Sequence, residues 1–335
     1  MESLSETMRN ARLGDPLDDP ENLLFRPRIG SGLAPTALDE IPRYLFRVAS
    51  PCSNGTTNKT YVRSESAYQN HISSTEDIFS DLNDEKRITI AHALNLHLRW
   101  WVDDKSKDNF VSWTSSLLFA IQHIYYRHLS PTDNSSLEKI ELYVIDTTLF
   151  PKGTFLSDLD LIDTFYEYDD HLPWKNLENF RNLRNNTEHY FGEYLSQGSL
   201  KIEGTCEIMS AESLFKDGRL RRLQPQFCEI QDLPFEDGKP VWVKEVIRLR
   251  ADIWQATDQR TLSSEEIGDR LEAVKEIVQD LTPSWRFPLA IYFTSLIGIE
   301  SSIEKRDVAI DDIFLRHFQS TFPDGKFIYV STLCR

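Results

Sequence analysis

Several signatures of common protein classes are missing from this 335-residue chain. Its four cysteines lie far apart with no C-x-x-C pair, which indicates neither a zinc site nor a disulfide framework and favours reduced thiols. It contains no G-x-G-x-x-G, P-loop or G-x-S-x-G element. No apolar run is long enough to span a membrane, and Met1 to Asp19 lacks the features of a secretory signal. We therefore expect an intracellular, cytoplasmic protein without a dinucleotide-binding or hydrolase motif.

Positive charge is also scarce. The chain has 37 Lys and Arg against 53 Asp and Glu, a formal net charge of −16. This excess of negative charge repels nucleic-acid phosphates and anionic membrane surfaces. We therefore expect neither a nucleic acid nor a membrane as partner. The 40% hydrophobic and 27% charged content is typical of a globular protein that buries one large core or two modest ones.

The order of patterns along the chain predicts an α+β fold. Alternating strand-like residues occur at Arg43 to Val48 and an apolar run at Leu142 to Asp146, and apolar residues at helical spacing lie between them, from Glu85 to Val102. Regular βαβ alternation is missing, which argues against a doubly wound sheet. We predict a flexible arm over 1–40 that is mobile or loosely docked, an α+β domain over 41–225 and a helical section over 235–335. A β-meander is predicted within Glu188 to Met209, and later helices over Val243 to Ala256, Ser263 to Leu281 and Pro288 to Ile299.

A short stretch near the middle of the chain concentrates hydroxyl groups. Phe110 to Ala120 reads FVSWTSSLLFA, a strand that enters a helix, and Ser115 or Ser116 is suited to cap that helix. Hydroxyls and backbone N–H groups at such a junction suit a phosphate, a sugar or a polarised carbonyl. We interpret the stretch as one part of a polar ligand site.

Two further residues complete a chemical set with this stretch: Arg47 on the first strand and Glu193 before a glycine turn. An arginine grips a diphosphate, hydroxyls orient a ribose or an amide, and a carboxylate stabilises an oxocarbenium-like transition state. Together these groups suit cleavage of an N-glycosidic bond. Glu203 and Glu207 also lie in strand-like segments and are rivals for the acidic role.

The order Arg47, Ser112, Glu193 resembles the R-S-E pattern of the ADP-ribosyltransferase superfamily of the pertussis and cholera toxin type. Its first strand is similar to Leu45-Phe46-Arg47-Val48, and an Ala stands eight residues after the first Ser of the second element, as Ala120 does here. The chain also resembles a fungal domain family of unknown function.

The resemblance covers roughly residues 41–225 and implies a split β-sheet core with flanking helices. It further implies that NAD is the substrate, that no metal takes part, and that the nicotinamide–ribose bond is cleaved. Arg47 would hold the phosphates or ribose of NAD, and Ser112 would brace the nicotinamide pocket, with Thr114 and Ser115 in the same cofactor-binding element. Glu193 would bond a ribose hydroxyl and stabilise the cation.

Two positions depart from the family pattern. Trp113 stands where the pattern has Thr, and Phe191 stands two residues before Glu193, where arginine- or asparagine-modifying members carry Gln or Glu. The acceptor of ADP-ribose is therefore left open between water, a protein, a small molecule and, against the net charge, a nucleic acid. The alternative is a catalytically inactive module that binds protein partners. The active enzyme and the inactive module are distinguished by whether Trp113 points into the pocket or away from it.

Other clusters are interpreted as structural. His92 and His97, like His123 and His128, are five residues apart, a spacing that places them on divergent helix faces and predicts no metal site. An acidic run has no calcium-loop spacing and is interpreted as a solvated face. It comprises Asp158, Asp160, Asp163, Asp169 and Asp170.

Overall fold

The structure is a computed structural model that describes residues 22–101, 108–186, 189–227, 235–236, 239–240, 242–255 and 262–298. The chain divides into two compact units. The first comprises Met1–Ser116 and Tyr143–Cys206, and the second comprises Leu117–Leu142 and Glu207–Arg335. Antiparallel strands and several helices give an α+β protein, as the sequence predicts. The units differ from the predicted 41–225 and 235–335, because 117–142 and 207–225 group with the C-terminal helices.

Eleven strands and ten α-helices lie in the described residues. The strands are β1 Tyr44–Ala49, β2 Thr56–Thr57, β3 Tyr61–Arg63, β4 Phe110–Thr114, β5 Glu141–Asp146, β6 Leu156–Ser157, β7 Glu193–Gln197, β8 Ser199–Lys201, β9 Cys206–Ser210, β10 Phe235–Glu236 and β11 Lys239–Pro240. The helices are α1 Glu65–Tyr68, α2 Asp84–Leu98, α3 Leu117–Leu129, α4 Asp158–Phe165, α5 Leu177–Asn185, α6 Ala211–Phe215, α7 Arg219–Leu223, α8 Trp242–Arg250, α9 Ser264–Val278 and α10 Pro283–Ser295. Within these described residues, no helix has the length and apolar character needed to cross a membrane.

The first unit is built on a mostly antiparallel arrangement of strands. Its strands lie in the order β6-β7-β4-β1-β5, and β2, β3 and β8 form a separate small sheet. The β1–β4, β4–β7 and β6–β7 pairs are antiparallel. The strands that carry Arg47, Ser112 and Glu193 are therefore three neighbours, with β4 in the middle.

Strand β4 separates two environments. Side chains alternate between the faces of a strand, and Trp113 is buried while its neighbour Ser112 is only half-buried. The Trp113 ring packs edge-on against Phe155, with ring centroids 5.7 Å apart, and its Nε1 donates to Ser196 Oγ at 3.0 Å. The indole thus fills the core and satisfies its own N–H group, so Trp113 does not contact the Ser112 hydroxyl side of the strand.

Helix α2 covers a hydrophobic core of the first unit. Asn83 caps it by accepting a bond from the backbone N–H of Lys86, and Ala91 and Leu94 are fully buried on its inner face. The helix ends earlier than the predicted Val102, because Trp100 adopts a left-handed φ of 57° that breaks the helix. Its partners in the core come from α4, α5 and β7. They include Leu161, Phe165, Leu177, Phe180 and Leu195.

The second unit is largely helical. Helix α9 begins with a capping box, in which Ser263 and Glu266 satisfy each other's backbone N–H groups. Helix α10 begins at Pro283 rather than at the predicted Pro288, because a proline in the first turn loses no helical hydrogen bond. Residues 299–335 of the predicted helical section lie outside the described residues.

The structure bears on two further sequence expectations. Residues 22–40 of the predicted arm follow the docked alternative, since Phe25 is buried and its N–H donates to Gly153 O at 2.7 Å; residues 1–21 lie outside the description. The predicted β-meander is wrong, because β7 pairs with β4 and β6 whereas β8 pairs with β3. Only Gly198 separates β7 from β8. Its φ of +61° turns the chain from one sheet to the other.

We expect Trp113→Ala to lower the free energy of unfolding by about 3–5 kcal/mol, because it empties a buried ring site and leaves Ser196 without its donor. Urea denaturation monitored by far-UV circular dichroism measures this change. Trp174→Ala is the matched control, since that side chain is 64% exposed, and it should change the free energy by less than about 0.5 kcal/mol. Equal effects of the two substitutions would contradict the burial of Trp113.

Candidate functional site

The register of β4 and β7 brings Ser112 to Glu193. Thr114 lies directly opposite Glu193 in the ladder, so Ser112 is the diagonal neighbour of Glu193 on the same face. The Ser112 hydroxyl donates a hydrogen bond to Glu193 Oε1 at 2.8 Å. Two of the three residues selected from the sequence are thus in direct contact.

Arg47 reaches the same place from β1. Its Nη1 donates to the backbone oxygen of Ser112 at 2.9 Å, and its Nε donates to Thr57 Oγ1 at 3.1 Å. The guanidinium is thereby oriented by β2 and β4 together. The structure therefore brings Arg47, Ser112 and Glu193 into one cluster, although they are up to 146 residues apart in the sequence (193 − 47).

Thr114 and Ser115 hold the turn that precedes Glu193. The Thr114 hydroxyl donates to Phe191 O at 2.7 Å, and the Ser115 N–H donates to Gly192 O at 2.8 Å. Gly192 has a φ of +62°, and a Cβ there would collide with the Ser115 hydroxyl, so glycine is required. Both residues fix the backbone that presents Glu193. Their contact with a cofactor stays a prediction.

A histidine and an aspartate that the sequence reasoning did not select extend the cluster. His97, in the last turn of α2, places Nε2 2.8 Å from Ser112 Oγ and Nδ1 2.8 Å from Asp108 Oδ2. Both side chains are almost completely buried. Asp108 also accepts from the Phe110 N–H at 3.1 Å, which fixes the carboxylate at the entry of β4. An Asp–His–Ser–Glu row therefore runs across the site.

A protonated His97 satisfies all of these bonds. The Ser112 hydroxyl has a single proton, and when it donates that proton to Glu193 Oε1 it accepts from His97 Nε2. With Nδ1 donating to Asp108, the ring then carries both protons. Burial by itself lowers the pKa of His97, but the charge and hydrogen bond of Asp108, with the charge of Glu193, outweigh it and raise that pKa. The charge of Arg47 opposes this rise.

Arg184 forms an ion pair with the second carboxylate oxygen of Glu193. Its Nη2 lies 2.5 Å from Glu193 Oε2, and the two side chains are 8% and 14% exposed. The guanidinium also stacks over the Phe180 ring at 4.9 Å. Arg184 comes from α5, a helix that the sequence patterns did not single out as part of the site. Glu193 is thus held between a hydroxyl and a cation.

Asp158 closes the far end of the cluster. Its Oδ2 lies 3.4 Å from Arg184 Nε, but neither atom has a hydrogen-bond partner. Burial raises the pKa of Asp158 to about 7, against the lowering effect of Arg184 and with a further rise from the charge of Glu193. The interpretation of the acidic run as a solvated face is therefore wrong for Asp158, and also for Asp169, since both carboxylates are buried. They are buried because α4 and the segment before α5 pack on the core.

The two rival carboxylates lie elsewhere. Glu203 is exposed in the turn after β8, and Glu207 Oε1 accepts from the backbone N–H of Thr282 in the second unit. Neither is bonded to Ser112 or Arg47 in the described hydrogen bonds. The preference for Glu193 therefore agrees with the geometry. A search for an acid two residues before β4 and a histidine in the last turn of the preceding helix could have found Asp108 and His97.

The fold and the cluster together define an α+β protein in which adjacent antiparallel strands and two helices bring a row of ionisable side chains together. A family model described as a domain of unknown function (DUF7587) matches residues 40–213, which is 174 of the 335 residues. The chain belongs to this family. No curated protein and no solved structure matches the chain. The match includes every residue of the cluster.

We expect Asp158→Asn to change how stability depends on pH. In the parent, Asp158 has a pKa of about 3.9 when unfolded and about 7 when folded. The folded state therefore binds the proton more tightly, and the stability that this proton supplies is lost as pH rises from about 4 to 7. The amide of the variant has no such proton to lose, so the advantage of the variant should grow over this window by up to about 1.4 kcal/mol per pH unit.

Urea titrations between pH 4 and pH 8 measure this difference. Asp163→Asn is the matched control, because Asp163 lies on the same helix with its side chain 55% exposed. A difference between the Asp158→Asn variant and the parent that stays constant with pH would contradict the assignment.

Proposed function

We propose that this protein binds NAD and cleaves its nicotinamide–ribose bond, as a glycohydrolase or with transfer of ADP-ribose to an acceptor, on an ADP-ribosyltransferase-like fold. The observation that carries the proposal is the convergence of Arg47, Ser112 and Glu193 on three adjacent strands, through bonds of 2.9 Å and 2.8 Å at Ser112. Their order along the chain suggested this chemistry. Their contact supports it with an independent observation.

Glu193 is the group suited to the reacting carbon. As nicotinamide leaves, positive charge develops on the ribose, and a fixed carboxylate stabilises that charge. Glu193 is fixed by Ser112 at one oxygen and by Arg184 at the other. In the proposed reaction a ribose hydroxyl takes the place of one of these partners.

His97 and Asp108 are suited to orient this carboxylate. The doubly protonated ring donates to Ser112 and thereby directs the serine proton toward Glu193. Asp108 balances the charge of the imidazolium, and its bond to the backbone of β4 holds the row in register. Arg47 supplies a cation for the diphosphate of NAD beside the same strand.

The surroundings of Glu193 favour water as the acceptor. Phe191, two residues earlier, is buried, and its ring lies beside Arg184 at 5.9 Å. No polar side chain therefore stands at the position from which related enzymes activate an arginine or asparagine. We propose the glycohydrolase reaction first and transfer to a protein or another molecule second.

We expect Glu193→Gln to reduce nicotinamide release from NAD at least about 100-fold, because the amide cannot stabilise the ribose cation. Chromatographic measurement of free nicotinamide tests this. Glu203→Gln is the matched control at an exposed carboxylate, and it should keep the parental rate. Absence of both release and NAD binding in the parent would contradict the proposal, as would a Glu193→Gln variant as active as the parent.

We expect Arg47→Lys to weaken NAD binding by about tenfold or more, because lysine cannot reproduce the forked contact of a guanidinium with a diphosphate. Isothermal titration calorimetry measures the dissociation constant. Arg63→Lys is the control, since Arg63 on the neighbouring β3 stacks on Tyr61 instead of bonding Ser112. Unchanged affinity of the Arg47 variant would exclude Arg47 from the NAD site.

A catalytically inactive interaction module is the second candidate, and one observation favours it. The buried Arg184 already neutralises Glu193 through a 2.5 Å ion pair. An acid held permanently in this way would not reach a ribose. The module predicts a folded protein that neither binds NAD nor releases nicotinamide, so the same two measurements separate the candidates.

A further inference from the structure

A second group of ionisable side chains lies on the first unit apart from the Glu193 cluster. We call it the His–Asp cluster, and it consists of His92, Asp169, Asp170 and His171. Each residue contributes one ligand atom, and the four atoms all lie within 4.8 Å of one another. The sequence pattern did not predict this group, because 76 residues lie between His92 and Asp169. The spacing of His92 and His97 also predicted no shared site.

Asp169 is the fixed centre of the cluster. Its side chain is completely buried, and its Oδ2 accepts from Asn95 Nδ2 at 2.9 Å and from the Leu177 N–H at 2.7 Å. Its Oδ1 accepts from the backbone N–H of His171 at 3.2 Å and faces the two imidazoles, 2.5 Å from His171 Nδ1 and 3.8 Å from His92 Nε2. When hydrogen bonds hold one oxygen of a carboxylate, they orient its other oxygen toward a metal.

The orientation of Asp169 is itself supported. Asn95, one turn after His92 on α2, accepts from Arg99 Nε at 2.8 Å through Oδ1 and donates to Lys175 O at 2.7 Å through Nδ2. Asn95 is buried, so its amide cannot rotate without losing these bonds. The helix that carries His92 therefore also fixes the carboxylate that faces it.

The other three ligands leave the cluster open to solvent. His92 and His171 are about one-third exposed, with ring centroids 4.5 Å apart, and Asp170 is 77% exposed with Oδ1 2.6 Å from His92 Nε2. An ion therefore has a path from solvent to the buried oxygen of Asp169. The two carboxylates also supply the negative charge that attracts a cation.

The ligand types select the metal. Two imidazole nitrogens and two carboxylate oxygens suit Zn²⁺ and similar first-row ions, whereas Ca²⁺ and Mg²⁺ prefer oxygen ligands alone. Four ligands at about 2.0–2.2 Å from Zn²⁺ lie about 3.3 Å from one another. The four atoms lie within 4.8 Å of one another, and the two closest pairs, at 2.5 and 2.6 Å, would move apart to admit the ion.

We propose that His92, Asp169, Asp170 and His171 bind one Zn²⁺ ion in a four-coordinate structural site. The ion fastens α2 to the segment between α4 and α5. This site differs from the sequence-based expectation that the protein holds no metal. It is independent of the proposed NAD chemistry, since none of its ligands contacts Ser112 or Glu193 in the described hydrogen bonds.

The test uses the full-length, untagged chain after dialysis against a chelator. Calorimetric titration with Zn²⁺ should give one equivalent bound, and saturating Zn²⁺ should raise the Tm by about 3 °C or more, because the ion binds only the folded state. Mg²⁺ and Ca²⁺ should not reproduce the shift. Co²⁺ should give the intense visible absorption of a four-coordinate site.

His92→Ala and His171→Ala should each weaken Zn²⁺ binding more than about tenfold and abolish the Tm shift. Both positions are partly exposed, so the variants should fold, which circular dichroism checks. His71→Ala, in the same unit but outside the cluster, is the control and should bind Zn²⁺ as the parent does. The proposal is overturned if the parent binds no Zn²⁺, which would leave hydrogen-bonded His–Asp pairs only, or if both cluster variants bind it as tightly as the parent.

Discussion

The hydrogen bond from Ser112 to Glu193 is the interaction on which the rest of the candidate site depends. It exists because antiparallel pairing sets β4 against β7 with Thr114 opposite Glu193, which makes Ser112 the diagonal neighbour. A shift of one residue in this register would turn Trp113 toward the polar side and Ser112 into the core. The buried Trp113 and the tight turn at Gly192 oppose that shift.

Charge is arranged around this bond in alternating sign. Asp108, His97, Glu193 and Arg184 follow one another across the site as anion, cation, anion and cation, with Asp158 behind. Each buried charge is costly alone and is stabilised by its neighbours. A ligand that takes one partner of Glu193 must therefore replace its hydrogen bond or its charge, which favours a polar, hydroxyl-bearing ligand such as a ribose.

Local patterns in the sequence predicted the strands that carry part of the site, but they did not predict all of the residues in it. Arg47 and Ser112 stand on strands with strong alternation, and Glu193 opens a strand after a glycine, so their placement followed from short-range signals. His97 and Arg184 belong to helices, and their contacts depend on how α2 and α5 pack on the sheet. That packing is a long-range property, which single-sequence patterns do not encode. For the same reason, the sequence patterns did not predict that His92 lies beside Asp169.

We propose that the nicotinamide ribose of NAD lies against Glu193. A structure of the protein with a non-hydrolysable NAD analogue, in which carbon replaces the ribose ring oxygen, tests this placement. We expect a ribose hydroxyl within hydrogen-bond distance of a Glu193 carboxylate oxygen and the diphosphate beside Arg47. An analogue bound away from both residues, or no binding of the analogue at high concentration, would contradict this placement.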